Sequence, residues 1–69
     1  MGGMVKGYSR LSDSDKKLFD LFCNNYCRTN GSVEIAFLSV RREKNYLRVD
    51  LLRNGRKTWQ QVFNSTNWG

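Results

Sequence analysis

Five side chains in the second half of the chain have types and spacing suited to chemistry on an anionic, ring-bearing partner: Tyr46, Arg48, Lys57, Trp59 and Phe63. Aromatic rings stack on unpaired bases, and Arg and Lys neutralise phosphates. Catalysis has much thinner support. The chain has no His, which removes histidine acid–base chemistry and most catalytic zinc sites. Tyr46, Arg48 and Lys57 could act on a phosphodiester. However, no paired carboxylates, activated nucleophile or Gly-rich phosphate loop accompanies them. Glu43 and Asp50 are single carboxylates and read as charge partners of neighbouring Arg. No catalytic residue, cofactor or metal is expected, and no small-molecule substrate.

Charge sharpens this reading. Twelve Lys and Arg face six Asp and Glu, a net +6 on 69 residues. Residues 41–69 hold seven basic and two acidic side chains, so most of the excess lies there. Arg41, Arg42, Lys44, Arg53 and Arg56 flank the aromatic positions and join Arg48 and Lys57 as candidate phosphate contacts. A basic patch gathered on one part of a small domain is the electrostatic footprint of nucleic-acid binding.

The two cysteines, Cys23 and Cys27, would share one helix face a turn apart. They cannot complete a structural zinc site without two more ligands. An i,i+4 disulfide within a helix has unfavourable geometry. Both read as small, partly buried thiols, and reduced thiols point to an intracellular setting. No apolar run is long enough to span a membrane. Asn64-Ser65-Thr66 matches a glycosylation acceptor, which is read as chance in the absence of a signal peptide. Met4 reads as a natural start, with residues 1–3 an expression scar. Lys6 stands where a myristoylation motif at Gly2 would need Ser or Thr.

The elements that must position these groups follow from periodicity. Ser12 followed by Asp15 resembles a capping box. Leu18, Phe19, Phe22, Cys23 and Tyr26 then recur at helical spacing, with Leu21 beside them, and Asn30-Gly31 stops the helix, Gly31 being able to take the left-handed conformation. The helix is expected over residues 13–28. From Val33 to Val40 the period becomes two. Residues 41–45 form a charged connection, Tyr46 to Leu52 alternate again, and Asn54-Gly55 signals a type I′ hairpin into a third strand over 56–63. The fold class is α+β: one N-terminal helix packed on a three-stranded antiparallel meander. Residues 1–10 are expected as a flexible tail, 11–63 as the domain and 64–69 as a second tail.

The hairpin sets a register in which Leu51 opposes Thr58, Val49 opposes Gln60 and Leu47 opposes Val62. With Val40 opposite Tyr46, Val33, Ile35 and Phe37 join that aliphatic face. It would form the core with Leu18, Phe22 and Tyr26. Tyr46, Arg48, Lys57, Trp59 and Phe63, with Leu38 and Val40, would occupy the other face, which the helix cannot cover. The expected function is nucleic-acid binding through this aromatic–basic face, RNA ahead of DNA. The alternative is a protein-binding adaptor or small inhibitor, of viral or mobile-element kind, acting through the same face or through an edge strand. The apolar strand at 33–40 lies at an edge, where pairing with a second copy or another chain would be possible.

Two families share parts of this pattern. Leu21-Phe22, the run from Cys27 to Val33, and the later Leu47-Arg48, Gly55-Arg56-Lys57 and Val62 segment resemble the Alu-RNA-binding small subunits of the signal recognition particle. That resemblance implies an α-β-β-β-α unit that pairs through its strands and binds RNA on the open sheet face and basic loops. The stretch from Arg41 to Thr58 also resembles the DNA-reading meander of AP2-type domains, which place their helix after the sheet.

Overall fold

The computed structural model describes residues 5–69. Helix α1 spans Asp13–Thr29. Ser12 caps it, its hydroxyl accepting from the Asp15 N–H at 3.2 Å. Asp13 and Asp15 lie in the first turn and Arg28 in the last, each matched to the helix dipole. The other end is closed by Asn30, whose main-chain N–H and side-chain Nδ2 both donate to the Tyr26 carbonyl. Gly31 is not left-handed as expected; among the described residues the positive-φ glycines are Gly7 and Gly55. Asn30 supplies the cap with its own amide instead.

Four strands follow: β1 Ile35–Arg42, β2 Leu47–Arg53, β3 Arg56–Asn64 and β4 Asn67–Trp68, antiparallel in the order β1-β2-β3-β4. The fold is α+β, an α-β-β-β unit with a very short fourth strand. The β2–β3 turn has φ of 52° at Asn54 and 81° at Gly55, a pair of positive values that a type I′ turn requires. It fixes the predicted register, with Leu47 opposite Val62 and Asp50 opposite Trp59.

The β1–β2 pairing differs from expectation. Val40 lies opposite Val49, not Tyr46. Two physical causes act together. Strand β1 runs on to Arg42, and a tight loop closed by Glu43 N–H donating to the Tyr46 carbonyl replaces the longer connection. A register shift between Phe37 and Ser39 then inserts one extra residue. Such a bulge reverses which side chains face inward beyond it. Ile35 and Phe37 pack toward the core as expected. Val40, expected outside, is only 2% exposed.

The core gathers Leu11, Phe19, Phe22, Tyr26, Val40, Leu47, Val49, Leu51 and Val62. Leu18 is only half-buried, and Val33 lies outside this cluster. Among the residues read as tails, 1–4 lie outside the described residues. Residues 5–10 and 64–69 are built into the domain. Lys6 bridges in parallel to Ser39, its N–H donating to the Leu38 carbonyl and its carbonyl accepting from Val40 N–H. That takes the middle of the β1 edge expected to be open for a second chain. Tyr8–Arg10 form a 3-10 turn, and the Tyr8 hydroxyl donates to Asp20. At the other end β4 places Trp68 beside Val62, with its ring 5.3 Å from Phe22 and 5.8 Å from Tyr26. The Asn64-Ser65-Thr66 triplet forms the β3–β4 turn, Asn64 Oδ1 accepting from Thr66 N–H and hydroxyl. Asn25 donates to the Ser65 carbonyl at 2.7 Å and ties that turn to the helix.

One polar atom is stranded in this core. The Tyr26 hydroxyl is buried without a hydrogen-bond partner among the described residues. An unpaired buried hydroxyl costs about 1–3 kcal/mol of desolvation. Tyr26→Phe should therefore raise stability by about 1 kcal/mol in urea unfolding; a loss of stability would show that the hydroxyl is satisfied.

Candidate nucleic-acid interface

Strand alternation from the Asn54-Gly55 turn sends Arg48, Asp50, Lys57, Trp59 and Phe63 to the side of the sheet away from α1. Asp50 lies opposite Trp59 and Arg48 opposite Gln61, so Arg48 is diagonal to Trp59. Its guanidinium sits 4.3 Å from the Trp59 ring centroid, a cation–π stack. Arg48 Nε also donates to Asp50 Oδ1 at 3.2 Å, and the Ser39 hydroxyl donates to Asp50 Oδ2 at 2.9 Å. Partial burial pushes the Asp50 carboxyl upward. The Ser39 and Arg48 hydrogen bonds and the Arg48 and Lys57 charges outweigh it and hold Asp50 below its ordinary value. Asp50 is thus an ionised clamp that fixes Arg48 over the indole.

A second aromatic group lies at the far end of the face. Tyr46 meets Phe63 edge-to-face, with centroids 6.2 Å apart. Trp59 and Phe63 are 41% and 47% exposed, unusual for large apolar rings in a domain that has a separate, well-filled core.

The ten expected contact residues do not all converge. Arg41, Tyr46, Arg48, Lys57, Trp59 and Phe63 belong to the open face or its rim. Lys44 is exposed in the β1–β2 loop. Arg42 is not available as expected: the bulge turns it to the helix side, where it grips Asp15 with two bonds of 3.0 and 3.3 Å. Arg53 also turns that way and donates to Asn30 Oδ1 at 3.1 Å. Arg56, opposite Arg53, is exposed on the helix side of the turn. Arg41 pairs with Glu43.

Two further cations lie in the segment expected as a tail. Lys6 and Arg10 stand beside Arg41, Ser39 and Asp50 around a hollow of about 550 Å³. No periodicity marks that segment; its signal is Gly7 between the apolar Val5 and Tyr8.

The thiols lie elsewhere. Cys23 lines an apolar groove with Val5, Tyr8, Phe19 and Phe37. Its thiol is pushed up to about 12 by burial, with Cys27 and Asp20 adding to the shift. Cys27 is exposed rather than partly buried, and neither is in a disulfide. Among the described residues no three potential metal ligands come together, and no helix is long and apolar enough to cross a membrane. Compared with family models, curated proteins and solved structures, the chain matches none.

Proposed function

We propose that this protein is a small nucleic-acid-binding module that uses the sheet face opposite α1. The observation that carries this is the Trp59–Arg48 stack, held rigid by Asp50 and left open to solvent. It offers a base both a ring and a guanidinium plane on which to stack. Lys57, Arg41 and Lys44 supply charge around it. RNA is favoured over DNA because RNA loops and bulges present unpaired bases. Binding rather than catalysis fits the two nearby carboxylates, since Asp50 and Glu43 are each engaged by an arginine. The two unpaired thiols favour an intracellular setting.

The second reading is a protein-binding adaptor. Trp, Tyr and Arg dominate protein hot spots, and the same exposed rings favour it. Salt separates the two. Binding of a labelled single-stranded RNA by fluorescence anisotropy should weaken steeply as salt rises. Trp59→Ala should cost about tenfold to a hundredfold in affinity, the worth of one base stack, and adding Arg48→Ala should abolish binding with the circular dichroism spectrum unchanged. Undiminished binding by the double variant would remove this face from the interface.

A further inference from the structure

We propose that Lys6, Arg10 and Arg41 form a phosphate pocket for a single-stranded nucleic acid whose base stacks on Trp59. This rests on the face assignment above and adds a second anchor to it.

The register places four residues in one row across the sheet. Trp59 of β3 lies opposite Asp50 of β2, Asp50 opposite Ser39 of β1, and Ser39 beside Lys6. Adjacent strands are about 4.8 Å apart, so the row runs roughly 14 Å from the indole to Lys6. A chain crossing the strands along this row meets the stacking platform first and the hollow last. That span is short enough for a single strand of a few nucleotides to reach from one end to the other.

The hollow has the chemistry of an oxyanion site. Lys6 and Arg10 provide the cations, with Arg41, which also pairs with Glu43, as a third, and Ser9 provides a hydroxyl; the Ser39 hydroxyl is already given to Asp50. Lys6 and Arg10 form no ion pair among the described residues. Asp50 is the acidic group of the lining, and both its oxygens are already taken, one by Ser39 and one by Arg48. Its charge is thus largely spent on the clamp.

A single strand is the occupant that satisfies both ends of the row. In a duplex the bases are stacked on one another, so a ring at Trp59 would gain nothing. A single strand turns its base onto the indole while its backbone continues to the pocket.

The test compares a labelled single-stranded oligonucleotide with the duplex of the same sequence, using the full chain and the Lys6→Ala/Arg10→Ala double variant. Both substitutions are at exposed side chains, and the main-chain bonds of Lys6 remain available to alanine. The wild type should prefer the single strand. The double variant should bind it about tenfold more weakly, with the slope of log affinity against log salt shallower by about 1. Quenching of Trp59 fluorescence at saturation should persist. Unchanged affinity and slope, alongside loss of binding in Trp59→Ala, would overturn the pocket and leave the face assignment standing. Equal binding of duplex and single strand would overturn the single-strand assignment. Wild-type protein that binds neither would overturn the face assignment itself.

Discussion

Gly7→Ala should detach residues 5–10 from β1 and lower stability more than a methyl added at any other described glycine. Gly7 has φ of 87°, a region where an L side chain is forced into strain of about 1–3 kcal/mol. A methyl there would also run into the main-chain carbonyl oxygen of Val40. Neither partner can yield cheaply, because Val40 N–H is bonded to the Lys6 carbonyl one residue away. Gly55→Ala is the matched control. Gly55 has φ of 81°, with nothing within 4 Å of an added methyl, so it isolates the torsional cost. Amide exchange should accelerate at Lys6 and Val40 in Gly7→Ala but not in Gly55→Ala. Equal destabilisation by the two variants, with Val40 still protected, would show that the close approach is absent. Because Lys6 and Arg10 ride on the same segment, Gly7→Ala should also weaken nucleic-acid binding.

Phe22→Ala should leave the chain largely unfolded at room temperature. Phe22 is 0% exposed and its ring contacts Tyr26 at 5.2 Å, Trp68 at 5.3 Å and Phe37 at 6.1 Å. It is where helix, first strand and last strand meet. Removing a buried Phe ring costs about 3–5 kcal/mol. A chain of this length has roughly 3–10 kcal/mol in total, so the loss consumes much or all of it. Phe22→Leu fills most of the space and should keep a cooperative urea transition at a lower midpoint. The loss of that transition in Phe22→Ala is the expected result. An unchanged midpoint would mean that α1 does not close over the sheet through this residue.

The parts of this fold that were legible in the sequence are those with a local cause. The helix follows from Ser12 and the Phe19–Phe22–Tyr26 spacing. The β2–β3 register follows from Asn54-Gly55, because two positive-φ residues admit one turn and one turn admits one pairing. The β1–β2 register has no such marker. The extra residue near Leu38 is held by main-chain bonds to Lys6, which alternation cannot report. It moved Val40 into the core and Arg42 onto Asp15. Likewise Trp68 carries no period of its own in a two-residue strand; its place comes from Phe22 and Tyr26 on a distant helix. The stacking half of the candidate site, on β2 and β3, was therefore readable. The half contributed by Lys6 and Arg10 was not.

The Lys6–Ser39 bridge has a bearing on how much of the sheet edge is free for strand addition. An apolar strand such as Ile35–Val40, with its main-chain groups unpaired, would template cross-β growth. Residues 5–7 cover the middle of that strand in the parallel sense, and the opposite side of the sheet ends in the two-residue β4. Neither flank presents a long straight ladder. The same segment that carries Lys6 and Arg10 thus also shortens the stretch of free edge that strand addition would need.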